Sequence, residues 1–144
     1  LFHDEFGFPT QRMDEVEAWL ERVDRKINNN LDDIVMVEEN YQSDARIGII
    51  SYGASARSAR HAMKVARQNG QQVDLLTLFT LWPFAEKQVE KMAEKVDHLI
   101  VPEMNAGQIA LEIERIVGKD KVTRITLTNG EMITPEMILE ILEA

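Results

Sequence analysis

The chain has 144 residues, 44% of them hydrophobic and 28% charged, with 25 acidic against 16 basic side chains and a formal charge of -9. That suits one compact domain with a helical appendage, and it sets up a field that repels nucleic-acid backbones and anionic lipid surfaces. The absence of cysteine removes thiolate-held iron–sulfur clusters, Cys-type zinc sites, disulfides and thiol nucleophiles together.

The start, Leu1 to Glu5, lacks the basic and apolar pattern of a signal peptide, and no run approaches the roughly 20 apolar residues of a membrane span, so a cytoplasmic protein is expected. A first residue other than Met reads as a piece of a longer polypeptide. His3 to Phe8 has no period and reads as a linker. From Thr10 to about Asn30, apolar residues at Val16, Trp19, Leu20, Val23, Ile27 and Leu31 keep the spacing of one helix face. Ile34–Glu38 and Ile47–Tyr52 read as strands, and the polar stretch Glu39 to Arg46 is too short for a parallel crossover, so the two are expected to be antiparallel neighbours.

A helix with Ala59, Ala62, Met63, Val65 and Ala66 on one face then ends at Asn69-Gly70, followed by a strand from Val73 to Phe79 and a helix from about Ala85 to Lys95. A strand from His98 to Val101, a helix from Gln108 to Val117 stopped by Gly118, and a strand from Val122 to Leu127 continue the alternation. Thr134-Pro135 opens a terminal helix through Leu142, with Pro where its missing N–H does no harm. Alternating elements of this length predict βαβ units and a mainly parallel sheet with helices on both faces.

Ser51 to Ala56 hands a strand over to a helix, where Ser55 is a candidate cap and free N–H groups a candidate anion site. It has one Gly and no Lys, so neither a dinucleotide fingerprint nor a P-loop is present. Val101 to Gln108 lies past the carboxyl end of another strand, where open α/β sheets place functional groups. There Glu103 and Gln108 are candidates to bond a partner's backbone, Asn105 or Gly107 starts the next helix, and Gly107 permits close approach of another chain. Leu81-Trp82-Pro83-Phe84 sets two aromatics around a proline directly after a strand, as a core edge or an interface anchor. His3, His61 and His98 lie far apart without metal-ligand spacing, and no nucleophile elbow or carboxylate pair in unlike environments appears.

His3 to Thr10, Ser51-Tyr52-Gly53, Leu81-Trp82-Pro83-Phe84, Val101-Pro102-Glu103-Met104-Asn105-Ala106-Gly107-Gln108 and Ile113-Glu114-Arg115 together resemble the C-terminal part of the α subunit of 2-oxoacid:ferredoxin oxidoreductases, nearly end to end. The Val-Pro-Glu-Met-Asn-x-Gly-Gln run is the most specific piece and looks more like the 2-oxoglutarate synthase branch than the pyruvate branch. Phe6 and Ala106 depart from the family's usual residues and carry no chemistry.

The resemblance implies a three-layer α/β/α fold like the transketolase C-terminal domain, with a mixed, mostly parallel five-stranded sheet whose first strand is antiparallel. Residues 1–33 are then a linker and helical arm, and residues 34–144 the domain. For the holoenzyme it implies thiamine diphosphate with Mg, iron–sulfur clusters, CoA and ferredoxin, acting in the oxidative decarboxylation of a 2-oxoacid to an acyl-CoA. None of these groups has its expected motif here, so no residue is expected to be catalytic, cofactor-binding or metal-ligating. The domain's expected task is subunit assembly within an oligomer that includes a thiamine-binding β subunit, with Trp82, Pro83, Phe84, Glu103, Asn105, Gly107 and Gln108 as interface candidates. Ferredoxins are acidic, so a domain of charge -9 is expected to leave electron exit to another subunit. The alternative is an independent α/β module that binds a small molecule or anion through the loops at Gly53 and Gly107.

Overall fold

The computed structural model describes residues 1–143, and the chain divides into two compact units, Leu1–Val35 and Met36–Ala144. In the first, β1 (Phe2–His3) and β2 (Pro9–Thr10) pair antiparallel where a linker was expected. Asp4 makes the turn, its Oδ1 accepting the N–H groups of Phe6 at 2.9 Å and Phe8 at 2.8 Å. Strands of two residues have no period to detect. α1 (Met13–Asn28) follows, with Trp19 meeting the Phe2 ring edge-on at 5.6 Å between centroids, and then the short α2 (Leu31–Ile34).

The second unit begins with β3 (Val37–Asn40), β4 (Ile47–Tyr52), α3 (Ser55–Gln68), β5 (Val73–Leu78) and α4 (Glu86–Ala93). It continues with β6 (His98–Glu103), α5 (Gln108–Val117), a 3-10 turn, β7 (Val122–Thr126) and α6 (Pro135–Leu142). The five strands lie in the order β3-β5-β4-β6-β7, all parallel except β3. The expected mixed sheet with one antiparallel first strand is therefore present.

One pairing differs from expectation, since β3 pairs with β5, Val37 opposite Leu78 and Asn40 opposite Leu75, and does not touch β4. Every residue of β5 is buried, and so are the four central residues of β4, so both strands need neighbours on each side. The Val-Glu-Glu-Asn run of β3, three of its four residues polar, suits an edge. Residues 41–46 cross the amino end of β5 to reach its far side, and two strand spacings are only about 10 Å. The crossing is fastened: Asp74, fully buried, accepts the Gln42 N–H at 2.7 Å, and Arg67 donates to the Asn40 side chain at 2.7 Å and to its carbonyl at 2.9 Å.

The step from β4 to β5 runs one way along the sheet and the steps to β6 and β7 the other. Right-handed crossovers therefore put α3 on one face and α4 and α5 on the opposite face. α6 packs beside α3, and α4 beside α5. Ile49, Leu75 and Ile100 point to the α3/α6 layer and bury against Ala59, Ala62, Met63, Ala66 and Ile138. On the other face α4 lies so close that a Cβ on Gly48 would stand 2.6 Å from Met92 Cε.

Candidate functional site

The reversal of direction at β4 makes the carboxyl ends of β4 and β6 the switch point of the sheet, the usual ligand crevice of an open α/β fold. Tyr52 ends β4, Glu103 ends β6, and Asn105 to Gln108 lead into α5. Glu103 is fully buried. Its Oε1 accepts the Ala110 N–H at 2.9 Å, and its Oε2 accepts the Ile109 N–H at 3.1 Å and the Tyr52 hydroxyl at 3.1 Å. Asn105 Oδ1 accepts the N–H groups of Gly107 at 2.8 Å and Gln108 at 3.2 Å, and Asn105 Nδ2 donates to the Tyr52 hydroxyl oxygen.

The orphan N–H groups that make a helix start attractive to anions are thus held by two side chains of the same chain. Burial first, and then the Glu103 charge, push the Tyr52 phenol above its ordinary pKa, so the hydroxyl keeps its proton and donates it to Glu103. Gly107 takes φ +96°, and a Cβ there would lie 3.2 Å from Arg124 Nη1. The carboxylate is neither open nor free, contrary to the expectation that Glu103 bonds a partner's backbone. Gln108 is exposed, and its N–H is the group held by Asn105. At the neighbouring helix, Ser55 does not cap α3; the cap position is Ala54 and Ser55 is buried in the first turn.

The aromatic candidates stand apart from this network, beyond the carboxyl end of β5. Pro83 is buried behind a cis Trp82–Pro83 bond and Phe84 is half-buried, while Trp82 is 73% exposed. Phe79 and Leu81 beside it are exposed as well. Met36, exposed too, joins them by accepting the Phe79 and Thr80 N–H groups on its carbonyl at 2.9 Å and 3.2 Å. Met104 adds an exposed apolar side chain after β6. The edge that usually binds ligands therefore shows its polar groups bonded inward and its large apolar groups turned outward.

Sequence reasoning missed Tyr52, Phe79 and Met36 as members of this edge. The strand expected from Val73 to Phe79 extends one residue past the last strand residue, Leu78, and that overrun was the available signal for Phe79.

In the first unit, a cleft of about 710 Å3 is lined by His3, Asp4, Glu15, Trp19 and Arg22 among others. Asp4 is spent on its own turn, and Glu15 accepts the Thr10 hydroxyl and pairs with Arg12. Among the described residues, no group of three His, Cys, Asp or Glu is placed to hold a metal ion, and no helix is long and apolar enough to cross a membrane.

The 2-oxoglutarate synthase subunit KorA of Methanothermobacter marburgensis is 38% identical over 141 residues, covering 96% of this chain and 38% of its own length. The chain thus spans about two fifths of the curated relatives it matches. A solved structure of 2-oxoglutarate:ferredoxin oxidoreductase from Magnetococcus marinus with 2-oxoglutarate, coenzyme A and succinyl-CoA bound superposes with a TM-score of 0.86 at 26% identity. That match covers 99% of this chain and 25% of that one. A split-gene transketolase, an inactive β4 tetramer, matches over 74% of this chain and 40% of that one with a TM-score of 0.62 at 12% identity, which bears on the fold alone and agrees with a transketolase-like one. The family described as pyruvate:ferredoxin oxidoreductase core domain II matches residues 45–138, the stretch that holds β4 to β7 and the Glu103 network, and the chain belongs to that family.

Proposed function

We propose that the chain is the C-terminal part of the α subunit of a cytoplasmic 2-oxoacid:ferredoxin oxidoreductase of the 2-oxoglutarate synthase branch. Its task is assembly within the enzyme that oxidatively decarboxylates the 2-oxoacid to an acyl-CoA. Residues 1–33 act as linker and arm and residues 34–144 as the docking domain, held against a thiamine-binding partner subunit. Similarity to the KorA subunit across nearly the whole chain supports the substrate branch.

One observation carries the assembly role. At the switch point of the sheet, Glu103, Asn105 and Tyr52 satisfy each other and the start of α5, while Phe79, Leu81, Trp82 and Met104 face outward along the same edge. Exposed large side chains clustered at one edge, one of them a tryptophan, suit burial against another protein. Trp82 is the anchor, Pro83 and Phe84 hold its loop, and the Glu103-Asn105-Gly107-Gln108 corner keeps the adjacent helix start rigid.

The residues present do not fit the holoenzyme's redox and thiamine groups. There is no thiolate for a cluster, and the described residues offer no three-ligand set for a metal. The start of α5, which would otherwise receive a diphosphate, is filled by Glu103 and Asn105. No chemical step is assigned to this domain. The same filling disfavours the alternative of an independent anion-binding module.

The test is to assay the isolated chain for thiamine-dependent 2-oxoacid oxidation with an artificial electron acceptor. No turnover is expected, and turnover above the no-enzyme rate overturns the assembly reading.

A further inference from the structure

The sheet face that carries α3 and α6 is divided by charge. α3 contains Arg57, Arg60, Lys64 and Arg67 and no acidic residue, in a chain with 25 acids. Two of these cations are spent inside the fold, Arg60 on Glu38 at 2.8 Å and Arg67 on Asn40 and the Val73 carbonyl. Arg57, His61 and Lys64 are spaced by four and three residues, so they form one stripe, and all three are exposed.

Beside this stripe α6 carries Glu136 and Glu140 and no basic residue, with Glu143 directly after it, at the same spacing and also exposed. The two helices run parallel. Ser58 Oγ donates to the Ile133 carbonyl at 2.7 Å near the start of both, and Gln71 Nε2 donates to the Leu142 carbonyl at 3.0 Å near their ends. Hydrogen bonds at the helix start, from its own N–H and from Thr134, come first and the His61 charge last in holding the Glu136 carboxyl below its ordinary pKa, whereas neither Arg57 nor Lys64 has an ion-pair partner among the described residues. On the opposite face the basic groups are matched within the chain, as in Arg115 with Glu86 and Glu112 and Arg124 with Glu114.

We propose that the α3/α6 face is the contact between two copies of this chain, related by a two-fold axis that runs along the helices between α3 and α6. Rotation about that axis lays α3 of each copy on α6 of the other, so Arg57, His61 and Lys64 of one protomer meet Glu136, Glu140 and Glu143 of its partner, twice. A partner carrying only one sign of charge satisfies one helix and opposes the other. A second copy satisfies both, which is the self-complementarity of an isologous contact. Met132 before α6 and Ile141 on its flank are exposed apolar side chains near the acidic stripe, and ion pairs alone would hold such a contact weakly. At physiological ionic strength charges more than about 8 Å apart are screened, so pairs in contact outweigh the net repulsion between two acidic chains.

Sedimentation velocity of the chain across micromolar to submillimolar concentrations tests the proposal. A monomer–dimer equilibrium is expected. Arg57→Glu with Lys64→Glu, and separately Glu136→Lys with Glu140→Lys, each raise the dimer dissociation constant at least about tenfold. An equimolar mixture of the two variants restores dimers, because every reversed helix then meets its opposite. Far-UV circular dichroism checks that both variants stay folded. Should a reversal disturb folding, the neutral pairs Arg57→Gln with Lys64→Gln and Glu136→Gln with Glu140→Gln must still weaken the dimer. A monomer throughout the range, wild-type association by either reversed variant, or a mixture that stays monomeric overturns the proposal.

Discussion

Glu103 concentrates more of the site's polar chemistry than any neighbour, because one buried carboxylate terminates two helix N–H groups and a phenol. Removing it strands three donors. Glu103→Ala is expected to lower unfolding stability by about 3 kcal/mol, and Tyr52→Phe, which loses one hydroxyl and leaves the Asn105 Nδ2 donor without its acceptor, by about 1 kcal/mol. Urea midpoints measure both, and equal midpoints for the two variants contradict the shared network.

Gly107 is the second sensitive residue. With φ at +96° and Arg124 where a side chain would begin, Gly107→Ala is expected to cost about 1–2 kcal/mol in the same experiment. The stretch around Glu103 was legible as a site because an apolar strand ends there in a turn of Pro, Asn and Gly. Its use was not legible. Whether a carboxylate faces a partner or turns back to the next helix depends on burial, and burial follows from how β6 sits between β4 and β7.

Most elements of the second unit announce themselves through period and caps, and α6 starts at the predicted Pro135. The order of strands did not, because loop length is a local cue and strand neighbours are set by which strands most need burial. Gly48 illustrates this. In sequence it is a glycine inside an apolar run, and in the fold it is the point where α4 meets the sheet. Gly48→Ala is expected to push the Met92 side chain aside and destabilise by about 1–3 kcal/mol, while Gly48→Ala with Met92→Leu recovers part of the loss.

The α5/β7 layer adds a pH-dependent element. Hydrogen bonding by Arg124 is the main reason the Glu114 carboxyl lies below its ordinary pKa. A depressed folded-state pKa contributes stability above the unfolded value and loses it as pH falls through the folded one. Stability of the wild-type chain should therefore fall on acidification below the ordinary carboxylate range, with a shallower fall in Arg124→Leu. Chemical denaturation at stepped pH reads the two slopes, and identical slopes contradict the pairing.

At the scale of the molecule, the fold has the ligand crevice of an open α/β sheet and fills it with its own side chains. The proposed assembly role falls to the surface. Phe79 and Trp82 lie outside the core, so replacing them with Asp should leave stability within about 0.5 kcal/mol. The direct measurement is to place Phe79→Asp with Trp82→Asp in the proposed full-length α subunit, produce it with the partner subunits proposed for it, and follow complex size and thiamine-dependent 2-oxoacid oxidation. A folded α subunit that no longer assembles, with activity lost in proportion, is the predicted result. A variant that assembles and turns over like the wild type would contradict the assembly role of this edge.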